Sequence, residues 1–230
     1  MRAARPALVL VVAGVLLAVG VPTAWLLTRP GTSDGPPVAQ VVTGSTRSPG
    51  PAATPPTAAG PGVLPEVTAR PATPSAAAEV SPPVRLEVPA LGVDAPVDAV
   101  GVEPDATMTI PADVDRVGWY RFGPAPGAPA GSVVLAGHVD DAEQGLGALS
   151  ALSSAAVGDE VLVTAGDGGR TRWQVVARQE FDKESVPLAD LFVRQGPPRL
   201  VLITCGGPFL ADIGSYQDNV VVVAEPVPAG

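Results

Sequence analysis

Three textures of hydrophobic and polar positions succeed one another along the chain. Between Pro6 and Thr28 there is no charged residue, and Ala7 to Leu27 is nearly all Ala, Val, Leu and Gly. That is close to the ~20 apolar residues a helix needs to cross a bilayer, so the pattern predicts a membrane helix. Pro30 to Pro82 is built from Pro, Ala, Thr, Ser, Gly and Val, with no aromatic residue and few charges. Such a stretch buries too little apolar surface to offset its conformational entropy and reads as a disordered linker. Extended at up to ~3.1 Å per residue, it would reach on the order of 100 Å and lift the C-terminal part of the chain away from the membrane.

From about Val84 the pattern changes to short apolar or alternating pieces punctuated by Gly, Pro and Asp. Val84 to Val88, Ala95 to Val100, Thr107 to Ile110, Ser132 to His138, Glu160 to Thr164, Thr171 to Gln179, Arg199 to Cys205 and Val220 to Ala224 read as strands. Helical signal is confined to Ala148 to Ala156 and Leu188 to Val193. The division is therefore residues 1–29, an N-terminus with a membrane anchor; 30–83, a linker; and 84–228, an all-β domain of eight strands with one or two short helices, a small barrel or sandwich. About 145 residues suffice for one core.

Arg2, Arg5 and the terminal amine precede the apolar stretch and only Arg29 comes after it, which orients the N-terminus to the cytoplasm and the domain outside. The stretch exceeds a signal-peptide core of ~7–15 residues, and Val-Pro-Thr-Ala is a poor cleavage site, so an uncleaved anchor is expected. A net charge of -9 and a pI near 4.5 exclude a nucleic-acid partner, which needs clustered cations. With 1 Cys in the chain no intrachain disulfide forms and the thiol is free. Lys183 is the only lysine, and Ala, Pro, Gly and Val dominate, which suggests a GC-rich bacterial genome.

Two of the apolar strands end in chemistry. Ser132-Val-Val-Leu-Ala-Gly leads into His138, the only histidine, and Leu200-Val-Leu-Ile-Thr leads into Cys205, the only cysteine, before Gly-Gly-Pro-Phe. A free cysteine is often a small core hydrophobe, and a lone histidine at a strand end is often structural. A lone pair at two strand ends points instead to a thiolate nucleophile with an imidazole acid and base.

The anchor, the spacer, the all-β domain, Leu-Ala-Gly-His at 135–138 and Leu-Ile-Thr-Cys at 202–205 together resemble a sortase, over roughly Val84 to Pro226. Gly-Gly-Pro-Phe after Cys205, Val139-Asp140 after His138, and the closing run from Tyr216 to Ala224 resemble the actinobacterial class F group. The resemblance implies an eight-stranded barrel and cleavage of a Leu-Pro-x-Thr-Gly-like sorting signal. It also implies a thioester on Cys205, resolved by a cell-wall amine, with no cofactor and no metal. On this chain it makes Cys205 the acylated residue and His138 the acid and base, with Thr204 and Asp140 in support. The partners it implies are secreted proteins carrying the signal and a peptidoglycan amine, served by a monomer on the outer face of the membrane.

One departure stands out. The family places an arginine at the start of the final strand, and Tyr216 to Ala224 contains none. Gln217 is the nearest equivalent and Asn219 the alternative; alternation puts both on one face. An amide donates to an oxyanion but brings no charge. Arg199, six residues before Cys205 on the same strand, is about 20 Å away, and Arg170, Arg172 and Arg178 read as solvent-facing. Asp140, Asp141 and Glu143 read as a solvated turn rather than a calcium loop, and Trp119, Tyr120 and Trp173 as core or groove residues. Two alternatives stand beside the enzyme: a binding module that kept the fold without its arginine, and an L,D-transpeptidase. The latter would carry a second histidine near the cysteine, where Ile203-Thr204 stands.

Overall fold

In the computed structural model, which describes residues 33–44 and 81–228, the second half of the chain closes into a barrel. The strands are β1 (Pro83–Val88), β2 (Val93–Val100), β3 (Val117–Tyr120), β4 (Ser132–Gly137), β5 (Glu160–Ala165), β6 (Arg170–Asp182), β7 (Arg199–Leu210) and β8 (Ser215–Pro226). Around the barrel they run β1, β2, β3, β4, β7, β8, β6, β5, and β5 pairs with β1 again. β2 with β3 and β4 with β7 are parallel; the other pairs are antiparallel. Closure leaves no free edge among these eight strands.

Alternation along the strands builds two cores. Leu86, Val133, Leu135, Leu152, Val161, Val163, Trp173, Leu200, Leu202, Val220 and Val222 point inward and fill the barrel. The intervening residues Val134, Ala177, Val201, Val221 and Val223 point outward, yet they are buried as well. Their cover is α1 (Val38–Thr43) and α2 (Leu188–Leu191), which set Val38, Val42 and Leu191 against them. This second layer is why β4 and β8 read as unbroken apolar runs: both of their faces are covered.

The cover by α1 corrects the reading of residues 30–83 as disordered linker throughout, since residues 33–44 of that segment pack on the barrel. Ser33–Asp34 adds a short strand to β6, opposite Gln179 and Arg178. Asp34 accepts from the Val157 N–H at 2.8 Å, the Gln179 side chain accepts from the Val38 N–H at 3.0 Å, and Arg199 donates to the Val42 carbonyl at 2.8 Å. Composition failed here because three valines at helical spacing, Val38, Val41 and Val42, find a prepared apolar face; averaged over fifty residues they disappear. The membrane helix expected over Ala7 to Leu27 and the remainder of the linker lie outside the described residues. Among the described residues, no helix is long and apolar enough to cross a membrane.

Two further expectations are revised. Thr107 to Ile110 is not a strand; it makes one isolated bridge, Met108 with Val102, and runs into Pro111, which has no N–H to extend a ladder. The strand in its place is β3, four residues long and carrying Gly118, too short and too interrupted to announce itself. The helical signal of Ala148 to Ala156 is realised only as a single 3-10 turn at Leu152–Ser154.

Candidate active site

The parallel ladder between β4 and β7 is what brings the two singular residues together. Leu202 pairs with Leu135 and Ile203 with Ala136, so continuing that register two residues along each chain brings Cys205 level with His138. Alternation then decides their direction. Leu202 and Leu135 enter the barrel, so Ile203 and Cys205 on β7, and Ala136 and His138 at the end of β4, face outward. Thr204, between them, turns inward at 4% exposure, and its hydroxyl donates to the Gly137 carbonyl at 2.8 Å. That bond clamps the two strand ends where the ladder stops.

His138 and Cys205 open on one cavity of about 600 Å³. Its lining is largely apolar, with Val102, Met108, Ile110, Leu188, Phe192 and Ile203 among the residues around it. The His138 ring nitrogen Nε2 lies 2.9 Å from the Pro111 carbonyl oxygen. A carbonyl only accepts, so Nε2 carries the proton of the neutral ring and Nδ1 keeps its lone pair for a proton in transit.

On the far side of Cys205 the antiparallel partner is Asn219, and its side chain lines the same cavity. Gln217 does not. It lies opposite a bulge, where Gly207 and Pro208 intervene between the pairs Gly206 with Asp218 and Phe209 with Tyr216. There Gln217 is exposed and its amide donates to Asp182 at 3.3 Å. Gly207 has a φ of +68°, and a Cβ on it would collide with an Asp218 carboxylate oxygen, so a glycine is required there by close approach.

Among the residues that line the cavity there is neither arginine nor lysine. Arg170 pairs with Glu87 and Arg172 with Glu160. Arg178, expected to face solvent, is buried at 7% exposure and donates to the Ala155 carbonyl. Arg199 is buried at the opposite end of β7, and burial lowers the pKa of its guanidinium. Of the acidic turn, Asp141 accepts the Glu143 and Gln144 backbone N–H groups at 2.9 and 3.0 Å, which holds its pKa below the usual carboxylate value, with a smaller contribution from His138. Glu143 is exposed. Among the described residues no group of three or more His, Cys, Asp or Glu is arranged to hold a metal ion.

Residues 86–227 match the model of the sortase domain. The chain belongs to the sortase family. Sortases are as a family cysteine transpeptidases associated with the cell envelope, and a thiol and an imidazole opening on one apolar cavity are the groups that chemistry needs. Among solved structures the chain is similar to sortase A from Corynebacterium diphtheriae, at 18% identity and a TM-score of 0.48 over 65% of this chain and 63% of that one. It is also similar to sortase C-1 from Actinomyces oris, at 21% identity and a TM-score of 0.48 over 63% and 71%, and to sortase C1 of GBS pilus island 1, at 21% and 0.48 over 64% of each chain. The chain thus spans less than two thirds of the length of the corynebacterial structure it matches. No curated protein matches it.

Sequence reasoning missed the other contacts around this cavity. Pro111, whose carbonyl orients His138, ended a stretch read as a strand. Tyr216 was visible only as the first residue of the closing run; its hydroxyl donates to Asp140 at 2.5 Å and its ring packs edge-on against Phe209 at 5.2 Å between centroids. Nothing local in the sequence links residues 76 positions apart.

Proposed function

We propose that this sortase is a transpeptidase of the actinobacterial class F type. In this reading it cleaves a Leu-Pro-x-Thr-Gly-like sorting signal through a thioester on Cys205 and passes the acyl group to a cell-wall amine. The observation that carries the proposal is the shared apolar cavity, with the thiol and the imidazole on neighbouring strand ends. The Cys205 thiol passes its proton to His138 Nδ1, and the resulting thiolate attacks the threonine carbonyl carbon. As the tetrahedral adduct collapses, the C–N bond breaks and the leaving amine takes its proton from His138. The incoming amine then attacks the thioester, His138 accepts its proton, and Sγ departs as the thiolate. Asn219, paired with Cys205 and lining the cavity, takes the arginine's place as an uncharged donor to the oxyanion, and Gln217 does not. Thr204 holds the strand ends in register.

The reading extends to location: Ala7 to Leu27 spans the membrane once, N-terminus inside, with the barrel outside. Only residues 28 to 32 separate that span from the docked Ser33, a reach of about 20 Å at most. That short reach would hold the barrel near the outer membrane surface. The substrates are exported proteins with the sorting signal, and the acceptor is an amine of the peptidoglycan precursor.

The test incubates the full chain in detergent micelles with a Leu-Pro-x-Thr-Gly peptide and an oligoglycine amine, and reads intact mass. An acyl adduct on Cys205, absent in Cys205→Ala, and an amine-exchanged product are expected. A folded protein that gives neither sinks the proposal.

A further inference from the structure

Two segments leave the candidate site in different directions, one after His138 and one after Cys205. The first makes a small hairpin in which Asp140 pairs with Leu146 and Asp141 with Gly145. The second crosses the bulge at Gly207 and returns as β8, where Tyr216 pairs with Phe209. Among the described residues no backbone ladder joins the hairpin to the barrel strands. A side-chain bond links them instead: the Tyr216 hydroxyl donates to Asp140 Oδ2 at 2.5 Å. Both partners are half-buried, and the Phe209 ring braces the phenol from the side.

We infer that Tyr216 is a positioning residue of this sortase, whose bond to Asp140 fixes the segment carrying His138 against the segment carrying Cys205 and keeps the Asp140 charge engaged near a thiolate whose cavity is lined by neither arginine nor lysine. The inference rests on Cys205 being the nucleophile, as proposed above.

The effect is electrostatic as well as geometric. A thiolate is disfavoured by nearby carboxylates, and this end of the barrel is rich in them. Asp140 and Asp141 come just after His138, Asp218 comes from β8, and Glu180 and Asp182 come from β6, where a Cβ on Gly206 would touch Glu180 at 2.9 Å; the ammonium of Lys183 is bonded to Ser215, next to Tyr216. The phenol of Tyr216 has a raised pKa, first from its bond to Asp140, then from burial and from the charges of Asp140 and Cys205. Tyr216 stands opposite Phe209, four residues past Cys205 on the same strand pair. A carboxylate that accepts a short phenolic hydrogen bond has part of its charge drawn away from its neighbours. Without the bond, the Asp140 carboxylate is no longer engaged, and the segment after His138 loses one of its ties to β8.

Cys205 is the only cysteine, so its reactivity can be read directly as iodoacetamide alkylation of the full-length protein, by intact mass across pH. Tyr216→Phe removes one oxygen and keeps the ring. It is expected to raise the alkylation midpoint by about half to one pH unit, and to slow alkylation at pH 7 by about three- to tenfold, with the melting temperature nearly unchanged. In an Asp140→Asn background the same change should alter the rate less than about twofold, because Tyr216 acts through the Asp140 charge. A second comparison keeps Tyr216 intact: Asp140→Asn and Asp140→Ala both remove the carboxylate charge, so each should alkylate at pH 7 at least as fast as the parent. An unchanged profile in Tyr216→Phe, an equal shift in both backgrounds, or Asp140 variants that alkylate more slowly than the parent would each overturn the inference. Alkylation needs no sorting signal, so a failed peptide assay leaves this result readable on its own.

Discussion

Val38→Asp in the full chain probes whether residues 33–44 belong to the catalytic domain. Val38 is at 0% exposure, on the face of α1 that meets Val201, Val221, Val223 and Leu191. A carboxylate there has no partner, and burying an uncompensated charge costs several kcal/mol, more than α1 gains from its apolar contacts. The segment undocks instead, and the loss is capped at its docking free energy. Val38→Ala calibrates that cap: it removes two carbon groups at ~0.8 kcal/mol each plus a small cavity cost, about 2 kcal/mol in all. For a fold of this size that lowers Tm by about 4–8 °C, and Val38→Asp should lower it at least as far. Undocking also uncovers Arg199, whose guanidinium is tied to the Val42 carbonyl. The cluster that holds Val38 continues through Phe192, Met108 and Ile203 into the cavity wall, so KM for the peptide should rise several-fold while kcat changes less. The assays are calorimetry, proteolysis after residue 44, and steady-state kinetics. If Val38→Asp melts and turns over like the parent, α1 is not part of the domain and the two-core description is wrong.

Three other outcomes are expected from the geometry. Asn219→Arg puts a cation where the cavity faces Cys205 and should raise kcat/KM by about tenfold or more, whereas Gln217→Arg, exposed beside the bulge, should leave it within about twofold; the opposite order would move the oxyanion position to Gln217. Thr204→Val keeps the shape but leaves the buried Gly137 carbonyl without its hydroxyl donor, costing about 1–3 kcal/mol by urea denaturation, and an unchanged midpoint would mean that the hydroxyl does not clamp the strand ends. Asp218 has a pKa raised above its ordinary 3.8, first by burial and then by Glu180 and Asp182. A raised folded-state value means the stability is present below the ordinary pKa and lost as pH rises through the raised one. Asp218→Asn should therefore raise Tm slightly at pH 7 and make no difference near pH 3, and a gain that persists at pH 3 would refute the electrostatic origin.

The sequence alone determined the two strand stretches that lead into His138 and into Cys205, because an apolar run that stops at a singular polar residue is a local pattern. Ser132 to His138 and Leu200 to Cys205 needed no knowledge of their neighbours to be read. The eight-stranded count was legible for the same reason, although β3 was misplaced to Thr107–Ile110, where β-like composition runs into a proline. Only the tertiary structure decided which strands lie side by side. The parallel pairing of β4 with β7 sets His138 level with Cys205, and the bulge at Gly207 leaves Asn219 on the cavity and Gln217 exposed, positions that simple alternation treats as equivalent. Long-range partners were equally silent: Pro111 for His138, Tyr216 for Asp140, and the face of β7 and β8 for Val38. A side chain's periodicity records that it will be buried or exposed, but the surface that receives it is assembled from residues far away in the chain, and only closing the barrel brings that surface into being.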